Sequence, residues 1–405
     1  TIRGLQRGDI GRADSVIAEP KHYCVHGIPE GGLNCANARA GRREIETSYL
    51  PVFRAAIDEG AYNVMVCFNA IDGEPVLASE YYLKDVLKER LGLKGISRAD
   101  WGAVRRLIDP HRLATDEKDA VRVSLAAGLD MQGACDVESV YYERCVAELL
   151  AEGKLDSAAL DETVRRILSM KFELGLFEHP YTDETGCRAV MRCAAHKEIM
   201  LRAARESVVL LKNEGVLPLS GGIDSVAVIG PLSNAQSLGG YSGKAVSYKV
   251  SSVYDELCAR LGKERVLQCD GCHVVEQQGG VHVVEGQPHL TQELKRSAET
   301  SMEEALRAAA ACDAVILVCG DDTVTSGEGF DRSCLKLYGR QRELIRRAAA
   351  LGKPTVLVLE SGRAVDLSEE EGLVGAILSA GFGGEFGARA ICETLFGENN
   401  PSGRL

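Results

Sequence analysis

Apolar residues follow two alternating spacings in the first part of the chain. Residues 44–59 carry Ile45, Leu50 and Phe53 at helical spacing. The apolar run that comes next, residues 63–68, is short and is bounded by an Asp-Gly turn, which is typical of a β-strand. Because strand-like and helix-like segments repeat in this order, the pattern predicts a parallel sheet, either open or closed into a barrel.

Further elements of both kinds fill the rest of this region. Two helices close it, and the second begins at Asp156 as its N-cap, carries apolar residues from Leu160 to Phe172, and ends at Gly175. The other predicted elements are a strand at residues 15–18 that runs into 21–23, a helix at 80–91, a short strand that leads into Asp100, and a strand or turn at 124–131.

The second part of the chain has longer, unbroken apolar runs. Strands that are buried on both faces have this composition, so the runs predict an α/β sandwich, a parallel sheet with helices on each side. Active sites of such sheets lie outside the carboxyl ends of the strands, which gives the loop after Val318 a functional position. The runs lie at 226–229, 314–318, 355–359 and 375–378.

The polar, turn-rich composition of residues 178–190 predicts a linker between these two parts. The predicted organisation is therefore a barrel-like domain at 1–178, a linker at 179–191 and an α/β sandwich domain at 192–405.

Length and charge narrow the classes of function. The chain has 405 residues, too many for one core, and 47 basic against 59 acidic residues give a net charge of −12. This balance argues against a nucleic-acid partner and against attraction to anionic membranes. No apolar run approaches the ~20 residues that span a bilayer. We expect no nucleic-acid or membrane partner, and a homo-oligomer stays open.

Fourteen cysteines are scattered through the chain, several of them inside apolar runs. Such cysteines are typical of buried thiols in a reducing compartment, so we expect a cytoplasmic protein without a disulfide framework. The chain has no initiating Met, which leaves an export signal open. Cys269 and Cys272 form the one close pair, without a second pair or histidines in register. We expect loop cysteines there rather than a metal or redox site, and no cofactor.

Residues with catalytic chemistry follow three predicted strands: Lys21-His22, Asp100 beside the single tryptophan, and the loop 320–332 with Glu328. Cleavage of a glycosidic bond needs two carboxylates, one for the anomeric carbon and one for the departing oxygen. A lysine and a histidine would bind sugar hydroxyls and keep the first carboxylate ionised. Simpler interpretations stay open: Asp100 caps a helix, Lys21 and His22 are solvated, and Glu328 is a charge on a flexible loop.

Longer motifs carry a resemblance to a known family. The chain contains, in order, KHY at 21–23, GLKGISRADWGAV at 92–104, AGLDM at 127–131, GGYSG at 239–243, SGEGFDR at 326–332 and NPSGRL at 400–405. With these motifs the sequence resembles the two-domain glycoside hydrolases of family 3, the β-glucosidase and β-xylosidase group, essentially from end to end. The resemblance implies a partial (β/α) TIM-like barrel domain followed by an α/β sandwich domain.

The resemblance also implies a retaining mechanism through a covalent glycosyl-enzyme intermediate, with carboxyl groups about 5–5.5 Å apart across a cleft between the domains. The enzyme would release terminal non-reducing β-D-glucosyl or xylosyl residues from an oligosaccharide or an aryl or alkyl β-glycoside. Carried over by position, Asp100 is the nucleophile, Glu328 the general acid/base, Lys21 and His22 bind substrate hydroxyls, Trp101 flanks the −1 sugar, and Ser242 touches that sugar from the second domain.

The chain departs from the family pattern at several points. Arg98 and Ala99 precede the nucleophile where relatives carry a β-branched run that ends in Ser-Asp. Phe68 stands where many relatives carry a tyrosine that supports the nucleophile. A complete barrel needs ~250 residues, and the family's leading strands, with an Asp and an Arg that grip the sugar, have no counterpart. We therefore expect this chain to be an internal piece of a longer enzyme.

Two other functions stay open. The β-N-acetylglucosaminidases of the same family use a histidine in a loop after the Lys-His strand as acid/base. Residues 21–27 of this chain resemble part of their pattern, but residues 28–32 lack the Asp-Ser-His triplet. The other alternative is a non-catalytic carbohydrate-binding relic whose open barrel has lost its grip on substrate.

Overall fold

The structure of the protein, a computed structural model, divides into two units, Thr1–Asp183 and Glu184–Leu405. The division lies within the predicted linker, whose second half forms a short helix. No helix in the described part of the chain has both the length and the apolar composition needed to cross a membrane. The described residues are 1–133, 136–219, 222–242, 249–275, 281–284, 287–293, 301–323, 325–328, 330 and 332–405.

Unit 1 (Thr1–Asp183) contains a parallel sheet in which β4 lies between β1 and β5. Val64 of β1 pairs with Ser97 of β4, and Arg98 of β4 pairs with Met131 of β5. Parallel pairing of successive strands is what the barrel-like prediction requires. The strands of unit 1 are β1 (Val64–Val66), β2 (Ala70–Ile71), β3 (Glu74–Pro75), β4 (Ser97–Trp101) and β5 (Met131–Gly133), and β2 pairs with β3 in antiparallel fashion.

Residues 15–18 form no strand, contrary to the sequence prediction. Only the end of this segment joins the sheet. The N–H of Tyr23 donates to the Met65 carbonyl at 2.8 Å, and the Pro20 carbonyl accepts from the Met65 N–H at 3.1 Å. Because Pro20 has no N–H of its own, the ladder cannot continue toward the N-terminus. Tyr23 therefore makes an isolated parallel bridge to Val66 at the edge of the sheet.

Helices surround this sheet, two of them with π-helical stretches. The predicted helix at 44–59 is observed from Arg42 to Asp58, and the predicted helix at 80–91 is a π-helical segment, Tyr81–Arg90. The helices of unit 1 are α1 (Ile2–Gln6), α2 (Arg42–Glu44), the π-helical Ile45–Tyr49, α3 (Leu50–Asp58), Tyr81–Arg90, α4 (Ala103–Arg106), α5 (Glu117–Ala127), α6 (Asp136–Ala151) and α7 (Ser157–Glu173), with 3-10 turns at Glu30–Gly32 and Val76–Ala78.

The strand or turn predicted at 124–131 is wrong for its first half. Residues 124–127 belong to helix α5, which Asp116 caps by accepting the Asp119 N–H at 2.8 Å. The helix ends at Gly128, whose φ of 101° suits glycine. Strand β5 begins only at Met131.

Helix α7 begins where the sequence places it, because Asp156 accepts the Ala158 N–H at 2.9 Å. Its apolar residues are not buried as a helical apolar stripe normally is. Val164 is 43% exposed, Leu168 41% and Phe172 59%. For α7, helical spacing therefore identifies the helix but does not identify a buried face.

Unit 2 (Glu184–Leu405) contains a six-stranded sheet in the order β6-β13-β12-β11-β7-β8. Neighbouring strands are parallel except β6, which is antiparallel to β13. The unbroken apolar runs form β7, β11, β12 and β13, as predicted. The strands of unit 2 are β6 (Val209–Asn213), β7 (Val226–Ile229), β8 (Val266–Cys269), the antiparallel pair β9 (Val281–Val284) and β10 (Gln287–Glu293), β11 (Ala314–Gly320), β12 (Thr355–Glu360) and β13 (Ala376–Ser379).

Apolar side chains pack on both faces of this sheet, which makes unit 2 the predicted α/β sandwich. Val228 and Ile316 belong to the cluster on one face, and Ala227 and Leu317 belong to the cluster on the other. The helices are α8 (Glu184–Val190), α9 (Ala194–Ser207), α10 (Val253–Leu261), α11 (Met302–Ala311), α12 (Gln341–Ala349) and α13 (Gly387–Leu395), with 3-10 turns at Lys263–Arg265, Glu371–Leu373 and Gly384–Phe386.

The direction of the chain across this sheet reverses between β7 and β11. From β7 the chain continues outward to β8, and it later returns to β11 and proceeds the other way to β12 and β13. The carboxyl ends of β7 and β11 therefore flank a topological switch point, where open α/β sheets bind ligands. We call residues 230–242 the β7 loop and residues 321–332 the β11 loop.

Candidate active site

Asp100 is a buried carboxylate at the carboxyl end of β4, only 7% exposed. Its Oδ1 accepts the Trp101 N–H at 2.7 Å, and its Oδ2 lies 3.2 Å from His22 Nε2. The helix that follows, α4, has Gly102 as its N-cap and no side-chain cap. Asp100 is therefore not a helix cap. It occupies the end of a parallel strand, where barrel enzymes hold their catalytic groups.

The surroundings of Asp100 favour its ionised form. Burial by itself raises the pKa of Asp100, because it disfavours a charge. Hydrogen bonds from His22 and the Trp101 backbone, with the positive charge of Lys21, outweigh burial, so the pKa of Asp100 lies below its ordinary value of 3.8. The thiol of Cys67 is fully buried in the same core, and its pKa is raised to about 12, chiefly by burial. At neutral pH the site therefore holds an ionised Asp100 and a neutral thiol.

Close packing of β5 fixes the backbone around Asp100. A Cβ at Gly133 would lie 2.4 Å from the Ala99 carbonyl oxygen and 2.8 Å from the carbonyl carbon of Asp100, so only glycine fits. The Gly102 N–H also donates to the Gly133 carbonyl at 3.0 Å. The indole of Trp101, directly after Asp100, is 43% exposed and offers an apolar face to a ligand.

Contacts that sequence reasoning did not predict hold the segment around His22. The His26 ring stacks on the His22 ring with centroids 4.4 Å apart, and His26 Nδ1 lies 2.8 Å from Asn69 Oδ1. Arg98, a departure from the family pattern, pairs with Glu19 through an Nη2–Oε1 contact of 2.6 Å. That ion pair ties the segment before His22 to strand β4. Partners this far apart in the chain give no local sequence signal.

Glu328 lies in the β11 loop of unit 2 and is partly buried. Its Oε2 accepts a hydrogen bond from the hydroxyl of Tyr241, which belongs to the β7 loop. The two loops that flank the switch point therefore meet at this carboxylate. Ser242 is exposed, and its hydroxyl donates to the Leu238 carbonyl within its own loop. Sequence reasoning selected Ser242 from the GGYSG motif and missed Tyr241, although the tyrosine has the one hydroxyl of the motif that reaches the carboxylate.

Two glycines lie where loops of unit 2 come into contact. A Cβ at Gly240 would lie 3.6 Å from the Ser326 carbonyl oxygen. A Cβ at Gly362 would lie 3.0 Å from the Phe382 ring and 3.6 Å from Ser326 Oγ. Ser326, two residues before Glu328 in the chain, thus lies against the loops that follow β7 and β12.

A further carboxylate, Glu360, is buried at the end of β12 and is 5% exposed. Ser237 of the β7 loop donates a hydrogen bond to its Oε2. Burial raises the pKa of Glu360 to about 7, and the hydrogen bond from Ser237 lowers it only in part. This contact tethers the β7 loop to the centre of the sheet.

A cavity of about 550 Å³ in unit 1 lies away from these residues. Its lining includes Tyr62 and Lys94, which precede β1 and β4, together with Arg3 and Glu173. It therefore opens at the amino ends of the strands, whereas barrel enzymes place their sites at the carboxyl ends. The carboxylate sites described above are the better candidates.

Within the described ranges, no group of three or more His, Cys, Asp or Glu side chains is arranged to hold a metal ion. Cys272 is buried, and the Cys269 thiol lies 3.7 Å from the Ser301 carbonyl oxygen. All thirteen cysteines that the structure describes are free thiols.

With a barrel-like unit followed by an α/β sandwich unit, the chain has the two-domain α/β organisation of a glycosyl hydrolase. The family model described as the glycosyl hydrolase family 3 N-terminal domain matches residues 1–170, and the model of the family 3 C-terminal domain matches residues 208–405. The chain belongs to glycosyl hydrolase family 3, as its motifs indicated.

Curated relatives resemble the chain over its whole length. The periplasmic β-glucosidase of Salmonella typhimurium is 35% identical over 415 residues, which cover 100% of this chain and 53% of that protein. A β-xylosidase of Formosa agariphila is 32% identical over 429 residues, which cover 100% of this chain and 55% of that protein. The chain thus spans about half the length of these relatives.

Solved structures of β-glucosidases also resemble the chain over nearly its whole length. A β-glucosidase from Erythrobacter marinus has a TM-score of 0.86 and 32% identity, with 99% of this chain and 54% of that chain covered. The β-glucosidase of Listeria innocua in complex with glucose has a TM-score of 0.85 and 28% identity, with 100% and 53% covered.

Proposed function

We propose that the protein to which this chain belongs is a retaining, exo-acting β-glycosidase that hydrolyses terminal non-reducing β-D-glucosyl or β-D-xylosyl residues. The environment of Asp100 carries the proposal. A carboxylate that is buried and nevertheless kept ionised by His22, a backbone N–H and Lys21 is suited to attack an anomeric carbon. The same contacts make it a good leaving group when the intermediate is hydrolysed.

In the proposed first step, Asp100 bonds to the anomeric carbon while the bond to the glycosidic oxygen breaks, and Glu328 gives its proton to that oxygen. In the second step, Glu328 accepts a proton from water, the water oxygen bonds to the anomeric carbon, and Asp100 is released. The position of Glu328 in a loop at the switch point of unit 2, within reach of the Tyr241 hydroxyl, supports this role.

The remaining predicted residues take substrate-binding roles in this proposal. The exposed ammonium of Lys21 and the ring of His22 bind hydroxyl groups of the −1 sugar. The exposed indole of Trp101 packs against the sugar ring. The exposed hydroxyl of Ser242 exchanges its bond to the Leu238 carbonyl for one to the sugar.

The names of the relatives support glucosides and xylosides as the substrates of this protein. They are β-glucosidases and a β-xylosidase, and the Listeria innocua enzyme has also been solved, as a mutant, in complex with laminaribiose. None of these named relatives is an N-acetylglucosaminidase. A non-catalytic carbohydrate-binding relic would have no need of the contacts that keep Asp100 ionised.

Substitution of the two carboxylates tests the proposal in the full-length protein. Asp100→Asn should lower kcat by more than about a thousandfold on 4-nitrophenyl β-glucoside and β-xyloside, because the nucleophile is lost. Glu328→Ala should lower kcat/KM about 10²- to 10⁴-fold for a phenyl β-glycoside, whose leaving group needs a proton. The same variant should keep its kcat/KM for a 2,4-dinitrophenyl β-glycoside, whose leaving group needs no proton. Azide should raise the kcat of the variant. Proton NMR of the first product should show the β-anomer.

Matched controls separate these effects from changes in folding. Asp109→Asn in unit 1 and Glu371→Gln in unit 2 remove exposed carboxyl groups and should leave every substrate unaffected. Normal turnover by Asp100→Asn, or equal losses on both leaving groups for Glu328→Ala, would contradict the proposed roles. If the wild-type protein hydrolysed 4-nitrophenyl N-acetyl-β-glucosaminide faster than the 4-nitrophenyl glucoside and xyloside, the result would favour a β-N-acetylglucosaminidase of the same family.

A further inference from the structure

The β11 loop is fastened to the sheet at its first residue. Asp321 directly follows β11 and is 1% exposed. Its Oδ1 accepts hydrogen bonds from Arg332 Nη1 and Thr325 Oγ1, both at 3.1 Å, and its Oδ2 accepts from Ser361 Oγ at 2.6 Å. One carboxylate therefore joins the beginning, the middle and the end of the β11 loop to the loop that follows β12.

The ion pair at this junction is shielded from water. The Arg332 side chain is 3% exposed and that of Asp321 is 1% exposed. The guanidinium of Arg332 also lies 4.0 Å from the Tyr338 ring centroid and donates to the Lys336 carbonyl. Charges that are buried and hydrogen-bonded in this way keep one geometry, unlike a solvated surface pair. The pair is therefore a fixed point for the end of the loop.

A second arginine supports the loop from the neighbouring strand. Arg363, which follows β12, donates through both Nη atoms to the Phe330 carbonyl at 3.3 Å and approaches the Thr325 carbonyl at 3.5 Å. Its N–H donates to Ser361 Oγ at 3.2 Å, and the hydroxyl of that serine donates in turn to Asp321. Residues on both sides of the proposed general acid are thus held by the same network.

We infer that Asp321 is a positioning residue for Glu328: it holds the β11 loop through Arg332 and the two hydroxyl groups, and so places the acid for proton donation. The inference rests on the proposed function, because it assumes that Glu328 is the acid. Asp321 is buried under the loop and acts through it. A displacement of about 1 Å in a catalytic group can cost about 10²-fold in rate.

Loss of the anchor, by which we mean the contacts of Asp321 with the β11 loop, should affect proton donation and not nucleophilic attack. A displaced acid weakens proton donation to the departing oxygen but leaves the attack by Asp100 unchanged. The loss should therefore grow as the leaving group becomes poorer, which a general loss of folded protein would not produce.

The test measures kcat/KM for phenyl and 2,4-dinitrophenyl β-glycosides in the full-length protein and in four variants. Asp321→Asn should lose at least about tenfold on the phenyl glycoside and less than about threefold on the dinitrophenyl glycoside. Ser361→Ala removes one hydrogen bond without leaving a buried charge unpaired, so it keeps the test valid if Asp321→Asn does not fold. Its loss should also be greater on the phenyl glycoside than on the dinitrophenyl glycoside. This difference between the two substrates, which we call the split, should be smaller than in Asp321→Asn.

Glu393→Gln is the matched control. Glu393 is a buried carboxylate of unit 2 whose oxygens accept from Arg205 and Arg389 on α9 and α13. It belongs to a similar ion-pair network away from the β11 loop, so any loss it causes should be equal on the two substrates. Glu328→Ala is the reference for a complete split.

The outcomes separate the inference from the function on which it rests. A split in Glu328→Ala with no split in either Asp321→Asn or Ser361→Ala would overturn the positioning role and leave the proposed function intact. The absence of a split in Glu328→Ala would instead overturn the proposed function. An equally large difference between the two substrates in Glu393→Gln would show that the effect does not depend on the contacts of Asp321, and would also overturn the inference.

Discussion

Replacement of Glu360 by glutamine should make unit 2 more stable at alkaline pH. The carboxyl group is buried at the end of β12, where it accepts a hydrogen bond from Ser237. Glutamine keeps an oxygen that can accept this hydrogen bond and removes the charge that appears when the carboxyl group ionises. The variant therefore changes the titration with little change in shape.

The magnitude follows from the pKa. Burial raises the pKa of Glu360 from its ordinary value of 4.5 to about 7. Below pH 4.5 the carboxyl group is protonated in both states, so it imposes no ionisation cost. Between the two values the folded protein binds more protons than the unfolded chain, so the free energy of unfolding falls as the pH rises. At about 1.4 kcal/mol for each pH unit, the full cost above pH 7 is about 3 kcal/mol.

Hydrogen exchange of the β11 and β12 amides, followed by mass spectrometry, measures this effect. Tryptophan fluorescence would not report on unit 2, because the one tryptophan of the chain, Trp101, lies in unit 1. We expect equal opening free energies for wild type and Glu360→Gln at pH 4.5, and a variant more stable by up to about 3 kcal/mol at pH 8. Glu371→Gln, at an exposed position, should behave as wild type at both pH values. A difference that did not change with pH would refute the reasoning.

Two predictions concern unit 1. His22→Ala removes the histidine contact that opposes burial at Asp100, so the pKa of Asp100 should rise and the acid limb of the kcat/KM profile should move to higher pH; an unmoved limb would exclude this role for His22. Gly133→Ala places a Cβ 2.4 Å from the Ala99 carbonyl oxygen and should lower kcat at least about tenfold by displacing β4. Gly41→Ala, where a Cβ meets nothing within 4 Å and φ is −61°, should have no effect, and equal losses in the two glycine variants would argue against displacement.

Patterning along the chain predicted the fully buried strands of unit 2, but not β6 or β8, and it predicted the strands of unit 1 less well. Strands buried on both faces, such as β11 and β12, have an unbroken apolar composition that few other elements share. Residues 15–18 also contain apolar residues, but they form no strand, because Pro20 interrupts the ladder with β1 beside them. Residues 124–127 were misassigned because their helix is specified by the cap at Asp116, several residues upstream.

The features of the candidate site also differ in how far the sequence could predict them. The position of Asp100 at the end of a strand could be predicted, because a short motif places it there. The contacts of Tyr241 and Asp321 could not be predicted, because their partners include residues from other loops of the sheet. An arginine such as Arg332 has the same local appearance whether it is solvated or, as observed, buried against a carboxylate.

Covalent trapping tests the central claim most directly. A 2,4-dinitrophenyl 2-deoxy-2-fluoro-β-glucoside slows both chemical steps, but its good leaving group allows the first to proceed, so the glycosyl-enzyme intermediate accumulates. Mass spectrometry of tryptic peptides from the full-length protein should then locate one fluoroglucosyl group on Asp100, in the peptide of residues 99–105. A label on another carboxylate, or turnover of the unfluorinated glucoside by Asp100→Asn at the wild-type rate, would contradict the account.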